Sequence, residues 1–287
     1  VLANASTTQP DKGSYELGVS ALPVGPETAL VASVLPTSRN VQAGAAATVF
    51  ATIINAGDHA GTGCGIALAS ELDIGFDYQR TDTMTNRPVG AVNETTSVDP
   101  GGAQSFMLTL TPRVPLDPFD LAFEFACTNS TVAPTITGLN TRAFSASTEP
   151  VVDMIALVAT AVDPGIINVP SGEYAAFSVA TANVGAPGTV STRVRSTIAH
   201  PSVTTLACQT EPATRCYINP DEPTFDPVSV VVGEADTPTY ASFIASDASI
   251  PFAPATSCLV IEFLDTDGDV RGATSVAVRS AVASEDL

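Results

Sequence analysis

The feature that most constrains this 287-residue chain is that it contains much of itself twice. Residues 29–57 read ALVASVLPTSRNVQAGAAATVFATIINAG, and residues 156–185 read ALVATAVDPGIINVPSGEYAAFSVATANVG. Both open on Ala-Leu-Val-Ala, cross a Pro-containing connection, and reach a short Asn-Val segment and a glycine (Gly44, Gly172). Both then run along an alternating stretch that ends in Asn-x-Gly: Asn55-Ala-Gly57 and Asn183-Val-Gly185. Downstream, Thr81-Asp82-x-x-Thr85 answers Thr210-Glu211-x-x-Thr214, and Pro115-Leu-Asp-Pro118 answers Pro251-Phe-Ala-Pro254. Phe123-Glu124-Phe125 then answers Ile261-Glu262-Phe263, and each half closes on a stretch opened by glycine, at Gly138 and Gly272. The matched positions stand roughly 130 residues apart, far beyond solenoid periods, so the repeat reads as a domain duplication. The expected division is an N-terminal arm over 1–15, modules over 16–148 and 149–281, and a tail over 282–287. The boundary falls at Ser147-Thr-Glu-Pro150.

Within each half the apolar residues recur with period two. Thr48-Val-Phe-Ala-Thr-Ile-Ile, Ser105-Phe-Met-Leu-Thr-Leu-Thr and Thr274-Ser-Val-Ala-Val-Arg alternate small or polar residues with apolar ones, as half-buried strands do. The 22 prolines and 20 glycines interrupt any helical pattern before it can run. Asn-x-Gly, Asp99-Pro-Gly-Gly102 and Asp267-Gly268 supply turn residues tolerant of positive φ. Short strands at this spacing predict an all-β fold of two sandwiches.

The strand ending in Asn55-Ala-Gly57 and leading into Thr62-Gly-Cys-Gly-Ile-Ala-Leu68 resembles the bacterial Ig-like modules repeated in surface and secreted proteins. In that group the N-x-G turn carries the chain from one sheet to the other. The resemblance implies two tandem Ig-like β-sandwich domains and a life at the cell surface. It brings no catalytic residues with it.

Charge narrows the partners. The formal net charge is −19, and Lys12 is the only lysine beside ten arginines. Such a surface repels phosphate backbones and anionic headgroups, so neither nucleic acid nor membrane insertion is expected. No apolar run approaches the roughly 18 residues of a membrane helix. The opening VLANASTTQPDKGS has no basic or long apolar leader segment, which is the expectation for a chain acting outside the cell after signal removal.

Five cysteines bear on the compartment. Cys64 and Cys127 lie in two separate apolar stretches of the first half, the placement of a bridge inside a sandwich. Cys208 and Cys216 flank a turn-rich stretch that a disulfide would close as a hairpin, leaving Cys258 over. The alternative is five buried thiols, which would weaken the case for export.

The search for chemistry finds little. There is no G-x-S-x-G elbow and no S-x-x-K, and His59 and His200 stand in a turn and a connection with no serine-and-carboxylate context that repeats between the halves. No catalytic or cofactor-binding residue is predicted. The carboxylates gather in turns, and a chain without Trp lacks the usual stacking platforms of a sugar cleft. Asp265-Thr-Asp267-Gly268-Asp269 begins like a calcium loop, so Asp265, Asp267 and Asp269 are the candidate metal ligands. Its glycine comes two residues early, however, and Val276 stands where the bidentate acid belongs. A tight hairpin between strands is the preferred reading. Asn4, Asn93 and Asn129 open N-x-[ST] triplets.

Three classes of function remain. The first is a structural subunit of the cell exterior, such as a filament, surface-layer or appendage protein, whose main partner is its own copies. The second is a surface adhesin or ligand-binding module for glycan or protein. The third, weakest, is an accessory domain of a secreted hydrolase.

Overall fold

The computed structural model describes residues 28–161, 165–170, 172–198, 203–210, 229–251, 253 and 256–280. These form strands, and no helix occurs among the described residues. The first half contains β1 (Leu30–Leu35), β2 (Ser38–Gln42), β3 (Ala47–Asn55), β4 (Gly61–Leu68) and β5 (Ile74–Arg80). It continues with β6 (Thr96–Val98), β7 (Ala103–Pro112), β8 (Leu116–Ala126) and β9 (Thr141–Ser147). The second half contains β10 (Met154–Ala159), β11 (Ile166–Val169), β12 (Tyr174–Asn183), β13 (Gly188–Ser196) and β14 (Val203–Thr210). It ends with β15 (Ser229–Val232), β16 (Thr239–Ser246), β17 (Cys258–Leu264) and β18 (Val270–Ser280).

Each half is a sandwich of a four-stranded and a five-stranded sheet. The first has the orders β1-β3-β7-β5 and β2-β9-β8-β4-β6; the second has β10-β12-β16-β14 and β11-β18-β17-β13-β15. The two sets are the same order, strand for strand. In both, one parallel pair, β2 with β9 and β11 with β18, borders an otherwise antiparallel sheet. The chain leaves β3 in one sheet at Asn55 and enters β4 in the other, and it does the same from β12 at Asn183 into β13.

The period-two alternation fixes which side chains meet. In β3, Ala47, Val49, Ala51 and Ile53 point inward while Thr48, Phe50 and Ile54 point out. Their inner faces meet Phe106, Leu108 and Leu110 of β7 and Phe123 and Phe125 of β8 in one core. A second core gathers Val179, Tyr240, Ile244, Ile261 and Phe263. Phe125 and Phe263, the penultimate residues of β8 and β17, are both fully buried.

Two sequence matches change meaning in the fold. Leu30 pairs with Asn55, but it is Met154 that pairs with Asn183, so β1 starts one residue into the first Ala-Leu-Val-Ala and β10 two residues before the second, a shift of three. An odd shift turns a strand over. Leu30 is 5% exposed in the core, whereas Leu157 is 48% exposed on the outer face. The matched tetrapeptides are therefore not equivalent in space. Gly138 and Gly272 differ as well. Gly138 lies in the turn before β9 with φ +79°, while Gly272 sits inside β18, where a Cβ would come within 2.4 Å of the Met154 Cβ.

Candidate functional site

The two Asn-x-Gly turns are built alike. Asn55 and Asn183 are fully buried at the ends of β3 and β12. The Asn55 Nδ2 donates to the carbonyls of His59 (2.8 Å) and Val98 (3.0 Å), and its Oδ1 accepts from the Gly57 amide at 3.0 Å. The Asn183 Nδ2 donates to Ala186 and Gly233, each at 2.9 Å, and its Oδ1 accepts from Gly185 at 3.1 Å. Each amide thus ties the turn to the opposite sheet, at the last residue of β6 in the first sandwich and at the residue after β15 in the second. Asn183 Oδ1 also accepts from the Asp153 amide at 3.2 Å, which carries the second bracket to the meeting point of the two sandwiches.

Asp153 is the hub of that meeting point. Its Oδ2 accepts from Arg39 Nε at 2.7 Å and its Oδ1 from the Asn40 amide at 2.9 Å. Both partners belong to β2 of the first sandwich. The carboxylate is almost wholly enclosed, with 2% of its side chain exposed. Burial pushes the Asp153 carboxyl up, opposed by the Arg39 charge and hydrogen bond. Arg39 also donates to the Thr48 carbonyl. Nearby, the Thr37 hydroxyl donates to the Ala273 carbonyl, and the Ala273 amide donates to the Ser38 hydroxyl at 2.7 Å. The glycine at 272 lets β18 pass directly over β10 at this point.

Arg142 of β9 adds a second buried cation. Its Nη2 donates to the Pro36 carbonyl at 3.1 Å, while Nε and Nη1 have no hydrogen-bond partner among the described residues. Burial, then the Arg39 charge, push its pKa down to about 9, with Asp153 acting the other way. The cluster therefore holds two arginines against one carboxylate out of water, a costly arrangement that persists only where the surrounding packing enforces it.

Two clefts flank the cluster. A polar one of about 430 Å³ is lined by Arg39, Asn40, Gln42, Asp153 and Glu234 among others. An apolar one of about 470 Å³ is lined by Leu35, Phe50, Ile155, Leu157 and Val184. The apolar cleft continues onto the outer face of the first four-stranded sheet, where the cross-strand pairs Leu35–Phe50 and Val31–Ile54 are all exposed.

The residues singled out in the sequence are dispersed. Asp265, Asp267 and Asp269 form the turn joining β17 to β18. Asp265 Oδ1 accepts from the amides of Asp267 and Asp269, each at 3.0 Å, and its Oδ2 accepts from Arg271 Nε at 2.6 Å. Arg271 also reaches Asp269 at 3.0 Å. This is the hairpin geometry, with Arg271 on the carboxylates. Desolvation raises the Asp265 carboxyl, but the Arg271 and backbone hydrogen bonds outweigh it and hold it below the ordinary range. Among the described residues no group of three or more His, Cys, Asp or Glu is arranged to hold a metal ion.

Cys64 and Cys127 form a disulfide. The bridge joins neighbours of one sheet rather than the two sheets, because Gly65 pairs with Ala126 beside it. A Cβ on Gly61 would come within 2.7 and 2.9 Å of the two sulfurs, so the bridge requires glycine there. Cys208 in β14 is disulfide-bonded; Cys216 lies outside the described residues. Cys258 is a thiol whose pKa burial pushes up. His59 is exposed and contributes its carbonyl to the Asn55 bracket. Of the triplet asparagines, Asn93 and Asn129 are exposed but hydrogen-bonded, to Asp77 and to the Ala60 carbonyl. His200, Asn4, residues 1–15 and the tail 282–287 lie outside the described residues. The Arg39–Asp153–Arg142 cluster was not visible in the sequence, since nothing local distinguishes these residues from solvated charges.

No family model matches the chain, and neither does any curated protein. Solved structures similar to it include a protein of unknown function from Porphyromonas gingivalis W83, at 11% identity and a TM-score of 0.26, covering 88% of this chain and 99% of that one. The D00-D0 domain of Intimin is similar at 11% identity and a TM-score of 0.24, covering 86% and 98%. The C-terminal domain of the Streptococcus pyogenes antigen I/II-family protein AspA is similar at 10% identity and a TM-score of 0.29, covering 88% and 100%. At these scores the likenesses carry no argument about site or activity.

Proposed function

We propose that this chain is a non-enzymatic structural subunit of the cell exterior that assembles with copies of itself, as filament, surface-layer or appendage proteins do. The observation that carries the reading is the junction between the sandwiches. A flexible tether would leave Asp153 in water; here it is buried against Arg39 and Asn40 of the other sandwich. A repeating assembly needs its building block to hold one internal geometry, and a buried charged contact of this kind disfavours alternative arrangements. The Cys64–Cys127 disulfide supports an oxidising location. The shared strand order and the matching Asn55 and Asn183 brackets support reading the halves as descendants of one module.

A second reading, an adhesin or ligand-binding module, draws on the apolar cleft and the exposed Val31, Leu35, Phe50 and Ile54 beside it, since a contiguous exposed apolar patch marks a contact site. The two readings separate by experiment. The purified chain is examined by sedimentation velocity and electron microscopy over a concentration series, with and without calcium. Concentration-dependent ordered assembly is the expected result. A chain that stays monomeric throughout, yet retains a glycan or protein on an array, overturns the first reading in favour of the second.

A further inference from the structure

Resting on the assembly reading above, the geometry points to one particular contact between copies. We propose that the outer face of the second five-stranded sheet, at Arg193 and Arg195, docks on the outer face of the first five-stranded sheet of another copy, at Glu124 and Asp120.

The basic side stands out against a strongly acidic chain. Arg193 and Arg195 both reach Glu262, at 2.7 and 3.4 Å. Glu262 is nearly enclosed, with 9% of its side chain exposed, while the two arginines remain 52% and 53% exposed. This is the one exposed ion-pair cluster among the described residues in which arginine outnumbers carboxylate; the Arg80–Glu94 and Arg113–Asp73 pairs balance, and Arg271 faces two acids. A half-exposed arginine pair with a shared, already satisfied partner keeps donors to offer a further carboxylate.

The acidic side is the counterpart strand pair of the first sandwich. Glu262 pairs with Arg193 across β17 and β13, whereas Glu124 pairs with Ala67 across β8 and β4. Glu124 and Asp120 share the outer face of β8, both are exposed, and neither is in any ion pair among the described residues. Glu124 also stands at the lip of a shallow hollow of about 350 Å³ lined by Gly63, Gly65, Ala67, Tyr78, Ala126 and Thr128. The Tyr78 hydroxyl and the Thr128 methyl take the space over Gly65 and Gly63, so the room for an incoming side chain lies beside Ala67 and Ala126. Carboxylates beside a hollow on one face, and projecting guanidinium groups on the other, match in shape and in sign.

The face supplies more than half of what a contact needs. With β2 buried at the junction, the other four strands of the first sheet, at ~4.8 Å spacing and about seven residues in length, cover roughly 19 Å by 24 Å, or about 450 Å². A stable interface buries ~800 Å² per partner, which flanking loops can make up. Because the two faces belong to different sandwiches, the contact is heterologous and generates a ring or an open filament.

The test uses the full chain and three samples. E124R sets a guanidinium beside Asp120, so the first face loses its net negative charge while the second stays basic. R193E/R195E/E262R makes both acidic while keeping two ion pairs within the triad. Each variant alone is expected to weaken self-association at least tenfold by sedimentation velocity, as removal of close interfacial charge pairs does. Mixing the two in equal amounts is expected to restore it to within about threefold, since the unaltered arginine face of E124R meets the unaltered carboxylate face of the triple variant. Wild-type assembly should also weaken as salt rises. E124R alters one exposed side chain and carries the test by itself if the triple variant does not fold. Undiminished assembly of E124R overturns this contact and leaves the assembly reading standing. A wild-type chain that remains monomeric overturns both.

Discussion

Replacing Asp153 with alanine removes the acceptor of the Arg39 Nε at 2.7 Å and of the Asn40 amide at 2.9 Å. It also leaves two arginines, one with a 9% exposed side chain and one fully buried, with no neutralising charge between them. Removing one member of a buried pair costs about 3–5 kcal/mol, because the surviving charge stays desolvated. For a chain of this size that corresponds to a melting temperature lower by about 5–8 °C. The loss should fall on the junction first, so the single thermal transition expected of the wild type splits as the sandwiches melt independently. Scanning calorimetry, with near-ultraviolet circular dichroism as a second probe, reads both effects. The double variant Arg39→Met with Asp153→Leu should recover much of the loss, since an apolar pair carries no desolvation cost. Recovery stays incomplete, because Arg142 keeps its burial and loses Asp153. A cost below about 1 kcal/mol for Asp153→Ala, the size of an ordinary surface pair, would mean that water reaches the junction and that the reasoning is wrong.

Other outcomes follow from single features. Cys64 and Cys127 are 63 residues apart, so replacing both with alanine should lower stability by about 4 kcal/mol on chain-entropy grounds, read by urea unfolding against the oxidised wild type. Asn55→Ala strands a turn amide and two carbonyls and should cost about 2–3 kcal/mol; Asn183→Ala strands the Asp153 amide as well, so a loss at least as large there tests whether the brackets are equivalent, both read by urea unfolding. The Asp265 carboxyl is held below its ordinary range, so its contribution is present above the unfolded value and is lost as pH falls through the folded one. Asp265→Asn should therefore flatten the fall in stability between about pH 5 and pH 2, measured by denaturant unfolding across that range.

Much of the architecture was legible in the chain. Alternation in residues 48–54 and 105–111 marked the strands that became β3 and β7, because a strand's side chains change sides at every residue whatever it packs against. The Asn-x-Gly turns were legible for a similar reason, since a buried amide that bonds its own turn and a glycine two residues on form a local device. The hairpin at Asp265–Asp269 was legible from its early glycine. Pairing register was not. Ala-Leu-Val-Ala occurs twice, yet the tertiary fold aligns Leu30 with Met154 and sends Leu157 to the surface, because register is set by the partner strand and the core behind it. The sheet that holds the Cys64–Cys127 bridge was likewise decided by which strands became neighbours.

The junction lies furthest from sequence. Arg39, Arg142 and Asp153 stand in three unrelated segments, and in the chain each looks like one more solvated charge. Only the closing of β2 against the start of β10 brings them together, removes their water and turns three ordinary residues into a buried cluster. Sequence alone determined two all-β sandwiches, since periodicity and turn chemistry act over a few neighbouring residues. How those sandwiches meet was decided by the tertiary structure, because desolvation and charge pairing depend on groups more than a hundred residues apart.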